Sequence, residues 1–210
     1  MQMGMDAPSG PERALSRFLF IFDIGGVIIG LDRPARNTVL GPSGNFAPHE
    51  TARLSQINAQ FRLGQITEKA YVEHACEIHA ISAETLYQAE DAFLIAGDPS
   101  MTKLVMDLSK SYRTIAFSNT HAIHWRRVER DLLVADAFHA FYLSHEIGLE
   151  KPDLTSYEAV AKREGYPPEK IVFVDDTLTN VEAARSAGWG HCIHHQSPAE
   201  TMAQIATILA

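Results

Sequence analysis

The chain has 210 residues, 46% of them hydrophobic and 21% charged, with a formal net charge of -8. That length suits one sizeable α/β domain, or a core plus a small insert. The acidic balance, with no long basic run, argues against nucleic acid or an anionic membrane as the main partner.

The N-terminus, MQMGMDAPSGPERALSR, is polar and holds no apolar signal core, so residues 1–16 are expected to form a flexible tail. No apolar run approaches the roughly 18 residues of a membrane span. Cys76 and Cys192 are the only cysteines and form no CxxC pair, which points to a reduced, cytoplasmic protein.

The first element is FLFIF at 18–22, a short uninterrupted apolar run of the kind found in a strand buried on both faces. It ends on Asp23 and runs on into Gly25 and Gly26. From about Pro48 to Ile95 the pattern is helical, with no convincing strand: HETARLSQINAQFRLG, TEKAYVEHACEIHA and SAETLYQAEDAFLIAG read as three helices. Strand and helix then alternate. SMTKLVMDLSKS leads into RTIAFSNT at 113–120, and HAIHWRRVERDLL into the weaker strand HAFYLS. LTSYEAVAKREG leads into KIVFVDDT at 170–177. NVEAARSAG, stopped by Gly188, precedes a possible last strand, HCIHH, and PAETMAQIATILA closes the chain as a helix. Alternation of this kind predicts an α/β fold with a doubly wound parallel sheet. Residues 17–32 and 98–210 are assigned to this core. The helical block, 33–97, is a cap above the C-terminal ends of the strands, where open α/β sheets bind ligands.

Polar residues gather at those ends. Asp23 follows the first run, Ser118 and Asn119 the second, and Asp175 and Asp176 a third; Lys151, in GLEKPD, lies in a loop facing the same edge. A carboxylate can attack phosphorus and form an aspartyl-phosphate. Asp23 and Asp176 could hold Mg2+, a hard cation that takes oxygen ligands and shares them with phosphate. Lys151, the Ser118 hydroxyl and the Asn119 backbone N–H could bind the phosphoryl oxygens.

Four motifs in fixed order, FDIGGV, FSNT, Lys151 in LEKPD and VDDTLTN, resemble those of the haloacid dehalogenase superfamily on its phosphatase side. Within it the chain is most similar to the bacterial alpha-glucose-1-phosphatase-like branch, which shares a D-x-G opening and an acid corresponding to Asp32. The resemblance implies a Mg2+-dependent phosphohydrolase of a small phosphorylated metabolite, a sugar phosphate first, acting as a monomer or homodimer. It implies Asp23 as nucleophile, with Lys151 beside it, and Ser118, Asn119 and Lys151 as phosphate binders. The metal ligands would be Asp23, the Gly25 carbonyl and Asp176, with Asp175 as a second or water-mediated ligand. Asn180 reads as a third ligand or a helix cap. Arg62 and Asp32 are the cap-side residues that could meet substrate.

Gly25 departs from the common D-x-D pattern, whose second acid protonates the leaving group. Three explanations stand side by side. Asp32, His121 or His124 supplies the proton; or the substrate has a good leaving group; or the domain binds a phosphometabolite with little turnover. A metal-free haloacid dehalogenase is a further rival, opposed by the paired acids Asp175 and Asp176.

Overall fold

The computed structural model describes residues 17–41 and 46–210; the expected tail at 1–16 lies outside them. The core is a five-stranded parallel sheet in the order β5-β4-β1-β6-β7. Its strands are β1 (Leu19–Phe22), β4 (Arg113–Ser118), β5 (Ala140–Leu143), β6 (Ile171–Asp175) and β7 (His191–His194).

The sheet explains why β1 is apolar without alternation. Successive side chains point to opposite faces, and both faces are covered. Phe20 and Phe22 enter one apolar cluster with Val172, Val174 and Ile205. Leu19 and Ile21 enter another with Phe117, Phe173 and Tyr157. Helices α5 (Pro99–Ser109) and α10 (Pro198–Leu209) supply the first face; α8 (Leu154–Glu164) and α9 (Leu178–Ser186) supply the second. Each fully buried Phe or Ile contributes about 1.5–3 kcal/mol, so the central strand is the anchor of the sheet.

Two short strands, β2 (Ile29–Leu31) and β3 (Leu94–Ala96), pair antiparallel. They are the chain's way out of the core and its way back. Neither shows in the sequence pattern, which is helical from about Pro48 to Ile95, because three-residue strands are too short to show a period. Gly97 is needed at the return: a Cβ there would sit 2.0 Å from the Ile28 carbonyl oxygen.

Between the two short strands lie α1 (Arg33–Leu40), α2 (Pro48–Arg62), α3 (Glu68–His79) and α4 (Ala83–Ala92). The last three are the expected helices; α1 is additional. Asp32 is its N-cap and Pro34 lies in its first turn, the usual start signal. These helices share their own apolar cluster, including Phe61, Tyr71, Ala75 and Leu86. Ile123, from α6 (Ala122–Arg127), joins that cluster and ties it to the core. The segment HAIHWRRVERDLL is α-helical only to Arg127 and widens into a π-helical turn over Val128–Leu132. The short helix α7 (Ser144–Ile147) follows β5. Among the described residues, no helix is long and apolar enough to cross a membrane.

Candidate active site

The parallel sheet brings the ends of β1, β4 and β6 to one edge, because β1 is paired to both neighbours in matched register. Asp23, Ser118 and Asp175 therefore meet at that edge, joined by Lys151 from the loop ahead of α8.

Lys151 is 2% exposed. Its Nζ donates to the Phe117 carbonyl at 2.8 Å and to Asp175 Oδ2 at 2.6 Å, and it lies 3.2 Å from Asp23 Oδ1. Burial alone would weaken its hold on the proton. The Asp23 and Asp175 charges outweigh burial and raise its affinity for the proton. Asn119 fixes the lysine from behind: its side-chain amide donates to the Lys151 carbonyl at 2.7 Å and accepts from the Lys151 N–H at 2.9 Å. The Asn119 side chain thus serves the lysine. Its backbone N–H remains as the group that could meet phosphate.

Asp23 Oδ1 also accepts from the Ile24 N–H at 2.6 Å. Burial raises the Asp23 pKa to about 7, opposed by Lys151 and reinforced by Asp175 and Asp176. Asp176 is raised as well, by burial and then by Asp175. Three carboxylates offer oxygens within 4.8 Å of one another, so the cluster holds more negative charge than one lysine offsets. This is the environment that a divalent cation relieves, and the all-oxygen donor set suits a hard ion such as Mg2+.

The members of the cluster differ in how free they are. Asp175 Oδ1 accepts from the Thr177 N–H at 2.8 Å and from Asn180 Nδ2 at 3.0 Å, and Oδ2 accepts from Lys151 and Asn180. With its oxygens committed, Asp175 fits the water-mediated of its two expected roles. Asn180 is not the cap of α9. It buttresses Asp175, and Thr177 occupies the N-cap position of α9. Asp176 makes one weak side-chain bond, with Thr177 at 3.3 Å, and its carbonyl meets His194 Nε2 at 2.9 Å. Gly26 has φ +78, and a Cβ there would fall 2.2 Å from Asp176 Oδ2. The glycine lets the turn and the acid occupy adjoining space. Gly25 is different: its φ is ordinary, and a Cβ would touch only the Leu31 side chain, at 3.4 Å.

A cavity of about 440 Å³ opens above this edge, lined by Gly25, Leu31, Ser118 and Asn119 from the core side and by Asn58, Arg62 and Tyr71 from the cap side. Arg62 lines it but is engaged, its Nε donating to Glu150 Oε2 at 2.5 Å. Asp32 is not among the lining residues. Its carboxylate Oδ1 accepts from the Ala35 N–H at 2.8 Å as a helix cap.

One wall carries a network that joins His121 and His124 to Glu90 and Arg36, two residues that sequence patterning had not singled out. Glu90 is 1% exposed and accepts from Arg36 Nη2 at 2.7 Å; its other oxygen lies 2.7 Å from His124 Nε2. Burial pushes the Glu90 pKa up, but His124 and Arg36 outweigh it and hold the group well below the usual carboxylate range. The His121 ring stacks on Phe61 and on His124, and burial followed by its neighbour His124 drives its pKa well below the ordinary value.

The profile of the haloacid dehalogenase-like hydrolases matches residues 19–188. The chain is 27% identical over 190 residues to the drimenol cyclase drtB of Aspergillus calidoustus, covering 84% of this chain but 34% of that protein. It thus spans about a third of that relative's length. It is 23% identical to the D-ribitol-5-phosphate phosphatase of Bacteroides thetaiotaomicron, covering 80% of this chain and 87% of that one. The HAD family enzyme bt-2542 of the same organism, solved in complex with magnesium and inorganic phosphate, superposes with a TM-score of 0.74 at 27% identity. That match covers 83% of this chain and 92% of the other.

Proposed function

The chain belongs to the haloacid dehalogenase-like hydrolases, and from that premise we propose that it is a Mg2+-dependent phosphohydrolase of a small phosphorylated metabolite. The observation that carries this reading is the set of buried Asp23 and Lys151 with half-buried Asp176 at one sheet edge. Asp23 attacks phosphorus and the phosphoryl group passes to its carboxylate. Lys151, fixed by Asn119 and Asp175, offsets charge on the attacking and transferred oxygens. The Ser118 hydroxyl and Asn119 N–H bind a further phosphoryl oxygen. Asp23, Asp176 and the Gly25 carbonyl would hold the ion, with Asp175 acting through water. Bound there, Mg2+ would neutralise developing negative charge between carboxylate and phosphate. The relatives solved with magnesium and phosphate, or acting on ribitol 5-phosphate, support this class.

A sugar or polyol phosphate is the favoured substrate, since Asn37, Asn58 and Thr120 on the cavity wall offer hydrogen bonds for hydroxyl groups. The cap, 33–97, is the part that would set specificity.

The test is hydrolysis of para-nitrophenyl phosphate and of alpha-glucose 1-phosphate, with and without Mg2+, by wild type and Asp23→Asn. Turnover that needs Mg2+ and disappears in the variant is expected. Activity surviving EDTA would favour the metal-free dehalogenase chemistry. Phosphate binding without turnover would favour a binding domain.

A further inference from the structure

The phosphatase reading leaves one chemical gap. An alkoxide is a poor leaving group, and Gly25 has no side chain to protonate it. The space beside Gly25 is occupied by Leu31, an apolar group. A proton must come from elsewhere on the cavity wall.

Three titratable side chains were candidates by chain proximity. Asp32 is engaged in capping α1. His121 lines the cavity, but burial keeps it largely unprotonated, and its Nδ1 already accepts from the His124 N–H at 3.4 Å. His124 differs from both. Its Nε2 points at Glu90, 2.7 Å away, and its Nδ1 has no hydrogen-bond partner among the described residues. The ring is held between His121, at 3.9 Å, and Phe93, at 5.2 Å, and borders the same cavity as Ser118, Asn119 and Gly25.

Glu90 makes this arrangement more than packing. An ionised carboxylate almost wholly removed from water costs several kcal/mol unless its charge is met. Arg36 from α1 meets that charge through both oxygens, Nη2 to Oε1 at 2.7 Å and Nε to Oε2 at 3.3 Å, and His124 Nε2 lies 2.7 Å from Oε2. Tyr71 from α3 adds a weak bond at 3.4 Å. The carboxylate also fixes the tautomer: Nε2 keeps its proton for Glu90, so the exchangeable proton is on Nδ1.

We propose that His124, oriented by Glu90, is the general acid that stands in for the residue missing at position 25. The proposal rests on the phosphatase reading. In the first step Asp23 Oδ forms a bond to phosphorus, and the phosphorus–oxygen bond to the leaving group breaks. The leaving oxygen keeps the electron pair and takes the Nδ1 proton of His124. In the second step water attacks phosphorus and gives a proton to His124 Nδ1. The Asp23–phosphorus bond breaks, releasing phosphate and restoring both side chains.

Leaving-group dependence tests this. Wild type and His124→Asn are compared on para-nitrophenyl phosphate, whose phenolate leaves readily, and on an alkyl phosphate such as ribitol 5-phosphate. His124→Asn should lose roughly 10²–10⁴-fold on the alkyl ester, the usual worth of general acid catalysis, and less than about tenfold on the aryl ester. Adding Gly25→Asp should restore alkyl turnover, since a Cβ there is in ordinary contact with the Leu31 side chain, at 3.4 Å, and the backbone φ is compatible with a side chain. Parallel loss on both esters, no loss on either, or no rescue by Gly25→Asp would overturn the assignment. If His124→Asn does not fold, His124→Gln carries the same comparison. Wild type inactive on both esters would instead overturn the phosphatase reading, so the two failures are distinguishable.

Discussion

The floor of the site and its cap-side wall are built in opposite ways. On the floor each polar group is fixed by a strand end and a short chain of bonds: Asn180 to Asp175, Asp175 to Lys151, Lys151 to Asp23. On the wall, Arg36, Tyr71, Glu90 and His124 come from four separate helices and meet only because the cap closes over α6. A rigid floor suits chemistry common to many substrates. A wall assembled from an inserted block can change with the substrate while the floor stays as it is.

That contrast can be broken or sharpened by substitution. On the floor, Asp176→Ala should lower kcat by roughly 10²–10³-fold and raise the Mg2+ needed for half-saturation. A Mg2+ titration identical to wild type would remove Asp176 from the metal site. One bond further back, Asn180→Ala should cost about 10–100-fold, because Asp175 and Lys151 lose their brace without losing a reacting group. Circular dichroism would check that the fold remains.

A smaller effect follows from Asp23. In the metal-free protein its pKa is raised to about 7, chiefly by burial. Protons then compete with the cation. The apparent Mg2+ affinity should be steady above pH 7 and fall up to about tenfold for each unit below it. An affinity unchanged between pH 8 and pH 6, values chosen to bracket about 7, would contradict that coupling.

The smallest effect is expected on the wall. Arg62 and Glu150 are each partly exposed, so Arg62→Ala should cost no more than about 1 kcal/mol in stability and change kcat only a few-fold. A large rise in KM with kcat preserved would show instead that Arg62 reads the substrate.

The floor was legible in the sequence, because a buried strand is a visible apolar run and the residue that ends it lies on a predictable edge. Asp23, Ser118 and Asp175 follow from that reasoning, and Lys151 and Asp176 from the neighbouring loops. Roles that depend on partners were not legible. Asn180 looked like a ligand or a cap; the cap position belongs to Thr177, and the Asn180 amide braces Asp175. Asp32 looked like a cap-side substrate contact and is a helix N-cap. Asp176 was visible, but its link through the backbone to His194 was not. Glu90 was hidden for a deeper reason: within QAEDAF it reads as one more helix acid, and only the packing of α4 against α1 and α6 buries it. The ribbon of β2 and β3 escaped notice because pairing across some sixty residues leaves no local trace.

The central claim is that Asp23 carries the phosphoryl group. Acid quenching during turnover of para-nitrophenyl phosphate with Mg2+, followed by peptide mass spectrometry, tests it directly. A phosphoryl adduct on Asp23, absent from Asp23→Asn, is the predicted result. An adduct on another side chain, or undiminished turnover by Asp23→Asn, would contradict it.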